Sequence, residues 1–150
     1  MARVVTIFGA TGNQGGSVAR SLLRNTSFKI RAITRNPSSS AGRALASAGA
    51  DVLKADGFKH SELLDAFKGS WGAFVNINSN DPAVSRDEGP TELDLGKRIV
   101  DAAAEAKVQH LVFSTLPPCS EMTGGKVKMK SFDSQCNIAC QLIPLRRTVR

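Results

Sequence analysis

The sequence predicts an α/β fold, a doubly wound parallel sheet of about five strands. Two observations predict it. Short apolar, β-branched runs alternate with helical patterns along most of the chain. The first run breaks into a glycine turn that opens directly into a helix. Strands separated by helices must lie parallel, joined by right-handed crossovers.

Residues 4–8, Val-Val-Thr-Ile-Phe, read as a strand buried on both faces. Gly9, Gly12 and Gly15 follow at G-x-x-G-x-x-G spacing. Residues 13–24 then read as a helix with Val18, Leu22 and Leu23 on its apolar side. Lys29 to Thr34 is a second strand. Ser38 to Ala48 is an alanine-rich helix stopped by Gly49. Asp51 to Ala55 is a third strand, and Ser61 to Phe67 a helix capped near His60 or Ser61 and ended by Gly69. Trp71 to Asn76 is a fourth strand. Residues 78–90 form a polar loop. Thr91 to Ala106 is the longest helix, with Leu93, Gly96, Val100, Ala103 and Ala104 assigned to one face. Gln109 to Ser114 is a fifth strand. Pro117-Pro118 and Gly124-Gly125 mark a loop. Ser131 to Cys140 reads as a weaker helix, and residues 142–150 have no assigned place in the sheet.

A glycine turn between a buried strand and a helix can hold pyrophosphate. Gly9 permits the tight turn, Gly12 lets the backbone approach the phosphates, and Gly15 lets the helix sit against the strand. The helix then offers free N–H groups and its positive dipole end to the anion. Thr11, Asn13 and Gln14 flank that position. No Gly-Lys-Ser/Thr ends the turn, which argues against a mononucleotide P-loop. The reading is a Rossmann-like, dinucleotide-binding domain with its ligand at the carboxyl ends of the strands.

The end of the second strand meets the adenosine ribose in such a fold. An acidic residue there serves NAD. This chain has Arg35, followed by Asn36, and a guanidinium suits a 2′-phosphate. NADP is therefore favoured, with NAD the alternative. Asp56 follows the third strand and either accepts from the adenine amino group or caps the next turn. Asn76 and Thr115 end the fourth and fifth strands and are expected towards the nicotinamide.

The chain has 150 residues, enough for one domain with a sizeable core. With 41% hydrophobic and 22% charged residues it has the balance of a folded soluble domain, not of a disordered chain. No apolar run approaches the roughly 20 residues of a membrane helix. Met1-Ala2-Arg3 leads straight into the first strand, so the expectation is no leader and a cytoplasmic, with nuclear as a second, location. The net charge of +7 is uneven: residues 126–150 hold 6 Lys/Arg and 1 Asp. Nucleic-acid binding by this tail ranks last among the readings, because interleaved aromatics are lacking. Residues 1–135 are read as the binding domain and 136–150 as a basic tail.

Catalytic signals are sparse. Short-chain reductases use a Tyr-x-x-x-Lys pair, and this chain contains no tyrosine. His60 and His110 are expected away from the cleft. Cys119, Cys136 and Cys140 read as free thiols, without further ligands for a zinc site. No catalytic residue and no metal ligand is assigned.

Four stretches resemble the NmrA-like family, an atypical branch of the short-chain dehydrogenase/reductase superfamily, and its fungal members most. They are Gly9 to Gly16, Arg31 to Pro37, Ala48 to Val52 and Val108 to Leu116. The resemblance covers about residues 3–135. It implies NAD(P) binding through Gly9, Gly12, Gly15 and Arg35. Some relatives sense the dinucleotide redox balance and bind transcription factors. Others, of the isoflavone-reductase-like type, reduce small molecules with a lysine. That lysine matches Gln135 here, which is neutral. Relatives are also considerably longer and add a C-terminal lobe over the substrate pocket. The resemblance therefore implies a C-terminally truncated or frame-shifted member without that lobe. The expected role is a redox-sensing or regulatory dinucleotide binder, with a dinucleotide-dependent oxidoreductase as the alternative. A transcription factor is one candidate partner, and a sheet edge left open suggests self-association.

Overall fold

The computed structural model describes residues 2–79, 81–84 and 89–141. Its elements run β1 (Arg3–Phe8), α1 (Asn13–Leu23), β2 (Phe28–Thr34), α2 (Ser40–Ser47), β3 (Asp51–Lys54), α3 (His60–Phe67), β4 (Gly72–Val75), α4 (Glu92–Glu105), β5 (His110–Phe113), α5 (Cys119–Met122) and α6 (Lys130–Gln141). The five strands form one sheet in the order β3-β2-β1-β4-β5. Every pairing is parallel. After β3 the chain returns to the far side of β1, so the strand order reverses between β1 and β4. This is the doubly wound Rossmann-like arrangement.

Period-two alternation divides the core between the two faces. On one face Val5, Ile7, Ile30 and Ala32 pack with Ala19 of α1 and Leu45 of α2. On the other, Ile33, Ala73 and Val75 meet Leu63 and Phe67 of α3, Ile99 of α4 and Ile138 of α6. Thr6 points to this second face, and its buried hydroxyl shares a 2.5 Å hydrogen bond with Ser70. Arg31, also in a strand, donates to the Ala66 and Lys68 carbonyls at 2.8 Å each and so satisfies the end of α3.

The helix boundaries follow capping chemistry. Ser39 caps α2 by accepting from the Gly42 N–H at 3.1 Å. Thr91 caps α4 in a reciprocal box: its hydroxyl oxygen accepts from the Asp94 N–H at 3.2 Å, and its own N–H donates to Asp94 at 2.9 Å. The predicted face of α4 needs one correction. The buried stripe is Leu95, Gly96, Ile99, Val100, Ala102 and Ala103, while Leu93 is half-buried and Ala104 is exposed. Alanines carry little apolar signal, so the pattern alone set the stripe slightly off axis. A further helix, α5, occupies part of the segment expected as loop. It is tied to α6 where Ser120 donates from its N–H (2.9 Å) and hydroxyl (2.5 Å) to Asp133. Helix α6 runs unbroken through residue 135. Residues 142–150 of the expected tail lie outside the described residues.

Asp94, Glu62 and Asp133 all titrate below the usual carboxylate range. The leading causes are the Thr91 hydroxyl for Asp94, the Asp56 N–H for Glu62 and the Ser120 hydroxyl for Asp133. A carboxyl with a lowered native pKa adds stability above its unfolded value of about 4, and loses it as pH falls through the native value. Thr91→Ala is therefore expected to cost about 1 kcal/mol at pH 7. That cost should shrink in acid well below pH 4, where Asp94 is protonated in both forms. Urea midpoints at the two pH values check this, and an equal cost at both would remove Asp94 from the cap.

Candidate functional site

A cleft of about 810 Å³ lies at the carboxyl ends of β1, β2, β3 and β4. Its place follows from topology, since the reversal between β1 and β4 leaves a crevice there. Its apolar floor includes Phe8, Ile33, Ala55 and Leu95. Its polar walls come from the β1–α1 turn, the end of β2 and the loop after β4.

Gly9 turns the chain at φ +77°. A Cβ there would stand 2.5 Å from the Asn76 carbonyl oxygen. The Gly12 N–H donates to the Gly9 carbonyl at 3.1 Å, closing the turn. Gly15 packs on the same carbonyl. A Cβ on Gly15 would stand 2.7 Å from the Gly9 carbonyl carbon and closer still to its oxygen. Helix α1 therefore starts hard against the strand. Gly12 provides no side-chain cap, and the first turn holds no acidic residue. The N–H groups of Asn13, Gln14 and Gly15 thus lack an intrahelical acceptor at the mouth of the cleft. That geometry suits an anion such as a pyrophosphate.

Gly9, Thr11, Gly12, Asn13, Gln14, Arg35, Asp56 and Asn76 all line the cleft. Gly15 sits behind it, as the spacer between helix and strand. Thr115 is exposed and lies outside the lining residues. The Asn76 side-chain amide donates to the Gln14 side chain, linking the end of β4 to the start of α1. Asp56 serves its own turn, accepting from the Phe58 N–H at 3.0 Å, and also faces the cleft. Arg35 is not free: its two terminal nitrogens donate to the two carboxylate oxygens of Asp81 at 3.0 and 2.6 Å.

A second polar cluster was invisible in the sequence. Gln135, on α6, donates its side-chain amide to Glu92 at 2.8 Å and to Ser79 at 3.1 Å. Ser79 also donates to Glu92 at 2.8 Å. Glu92 and Gln135 are each 7% exposed, and Ser79 reaches the cleft wall. No local pattern announces this trio, because its members come from a loop and two separate helices.

The histidines lie elsewhere. His60 pairs with Glu105 at 2.9 Å, and His110 rests against the Trp71 ring. The three cysteines are free thiols. Burial pushes the Cys136 thiol up, so it is a poor nucleophile. Among the described residues no cluster of His, Cys, Asp or Glu is arranged to hold a metal ion. No helix among them is long and apolar enough to cross a membrane.

Fold and cleft together define a Rossmann-like domain whose first crossover ends in a helix start without a side-chain cap. The profile of the NmrA-like family matches residues 1–142. The chain belongs to the NmrA-like family. It is 63% identical over 138 residues to the NmrA-like family domain-containing oxidoreductase FrzB of Cladobotryum sp, covering 92% of this chain and 41% of that protein. It is 58% identical over 136 residues to the oxidoreductase lnaB of Aspergillus flavus, covering 91% and 41%. The chain thus spans about two-fifths of the length of these relatives. Among solved structures, NmrA, a negative transcriptional regulator, superposes in its complex with NAD at a TM-score of 0.79 and 19% identity, covering 99% of this chain and 43% of NmrA. In its complex with NADP the values are 0.76 and 22%, covering 93% and 41%. At that identity the likeness establishes the fold.

The backbone contact at Gly15 leaves no room for a side chain. Gly15→Ala is expected to cost about 1–3 kcal/mol through overpacking, read as a fall in the thermal midpoint. An unchanged midpoint would mean that α1 can shift away from Gly9 freely.

Proposed function

We propose that this chain binds NADP(H) or NAD(H) in the β1–β4 cleft and acts as a redox-sensing or regulatory dinucleotide binder without chemistry of its own. The observation that carries the reading is the uncapped start of α1 behind the Gly9–Gly12 turn, at the strand-order switch. The first-turn amides would hold the pyrophosphate. Arg35 lies on the cleft wall at the end of β2, where a ribose 2′-phosphate would meet it. Asp56 would lie towards the adenine, and Asn76 towards the nicotinamide. The complexes of NmrA with NAD and NADP support a nicotinamide dinucleotide as the ligand. Its description as a negative transcriptional regulator supports a regulatory role, with a protein partner such as a transcription factor. A cytoplasmic or nuclear location belongs to the same reading.

The non-catalytic part rests on side chains. The sequence holds no tyrosine to serve a Tyr-Lys relay. Gln135 presents a neutral amide whose N–H groups already serve Ser79 and Glu92. An amide neither gives nor takes a proton near neutral pH. A second reading, a dinucleotide-dependent oxidoreductase acting on a small molecule, is favoured by the oxidoreductase names of the fungal relatives.

Purified chain mixed with NADPH and a panel of quinones and enones separates the two. The regulatory reading expects no steady oxidation, and sustained turnover would establish the second. Gly12→Val is expected to abolish dinucleotide binding by calorimetry while the chain stays folded by circular dichroism, with a lowered thermal midpoint because valine is a poor helix cap. Gly12 has ordinary extended backbone (φ −83°), and an added Cβ would lie 3.3 Å from the Gly9 carbonyl oxygen. Unchanged affinity would refute the role of the turn. Arg35→Ser is expected to weaken NADP by about tenfold more than NAD, the scale of one charge-assisted contact. Equal losses would remove Arg35 from the 2′-phosphate.

A further inference from the structure

We propose that Asp81 is a specificity-determining residue of this cleft: it occupies the Arg35 guanidinium and competes with a ribose 2′-phosphate, narrowing the preference between NADP and NAD. This rests on the dinucleotide reading above and deepens it.

The argument starts from the fork. Arg35 follows β2, whereas Asp81 lies in the loop between β4 and α4. Both line the cleft. The guanidinium gives one nitrogen to each carboxylate oxygen, at 3.0 and 2.6 Å. A phosphate is recognised by the same planar pair of N–H donors. The two acceptors therefore contend for one set of donors.

Asp81 is not loosely placed. Its N–H donates to the Asn78 carbonyl at 3.0 Å, and its carbonyl accepts from the Val84 N–H at 2.9 Å. Its Oδ1 also accepts from the Ala83 N–H at 2.9 Å. The turn thus presents the carboxylate at the cleft, where its side chain is 14% exposed against 57% for Arg35.

The consequence for the two dinucleotides differs in sign. A 2′-phosphate arriving at Arg35 must displace Asp81 and then sit beside a like charge. A 2′-hydroxyl carries no charge and can donate to the carboxylate. Arg35 alone would favour the phosphorylated ligand, and Asp81 offsets that advantage. In dinucleotide folds the ribose acid normally ends the second strand. Here the acid comes from a different crossover. Because one partner of the ion pair is largely solvated, the effect is severalfold rather than hundredfold.

The test is calorimetric titration of the full chain with NADP and with NAD. Asp81→Asn is expected to raise NADP affinity about three- to tenfold, with NAD affinity unchanged or lower. Asp81→Ser, which keeps an acceptor for the Ala83 N–H, should do the same, so a disturbed turn cannot mimic the result. In an Arg35→Ser background the Asp81→Asn gain should fall below about twofold, because the contested donors are gone. An unmoved NADP-to-NAD ratio in both Asp81 variants overturns the proposal. So does an equal gain for the two ligands, or a gain that survives in full without Arg35. A parent chain that binds neither dinucleotide refutes the dinucleotide reading itself, and this proposal with it.

Discussion

The backbone contact between Gly9 and Gly15 is the constraint on which the rest depends. Two main-chain segments meet where any side chain would intrude. The Asn76 carbonyl closes on Gly9 from the other side, bringing β4 into the same contact. Three pieces of the molecule are thereby fixed together: the end of β1, the start of α1 and the end of β4. The amides of α1 face the crevice because the helix has nowhere else to begin. Without that contact the helix would stand off from the sheet and the crevice would lose its polar wall.

Around this rigid corner the cleft is built from softer parts. The loop after β4 carries Ser79 and Asp81, and each reaches a distant partner. Asp81 takes Arg35 from the end of β2. Ser79 joins Glu92 and Gln135 on α4 and α6. The loop after β4 thus bridges the end of β2, on one side of the cleft, to the helical layer behind it. Hydrogen bonds join Ser79, Glu92 and Gln135 to one another, which matters because an unpaired buried carboxylate would be costly. A neutral amide at residue 135 donates to Glu92 without bringing a charge of its own inside.

The elements were legible where the signal was local. The apolar runs at residues 4–8 and 29–34 gave strands because alternation and β-branching are properties of neighbours. The glycine spacing at 9, 12 and 15 marked the crossover because only a small set of turns accepts it. The helix expected from Thr91 does start there, and the reciprocal cap between Thr91 and Asp94 that fixes this start emerged in the structure. Helix α5 was missed, being only four residues long. The buried stripe of α4 came out slightly rotated, because Ala102 and Ala104 look alike until a sheet lies on one side. Arg31, hidden in a strand pattern, gave no sign that it finishes α3.

Sequence by itself determined the order of strands and helices, the glycine crossover and the presence of a cation after β2. These follow from interactions within a few residues, which the chain carries wherever it goes. Only the tertiary structure decided that Arg35 meets Asp81, 46 residues away, and that Gln135 meets Glu92, 43 residues away. It also decided that Thr115 stands outside the cleft lined by Asn76. The physical reason is that such pairings depend on the order of strands in the sheet. That order is fixed by how both apolar faces are covered at once, and no local stretch of sequence contains it.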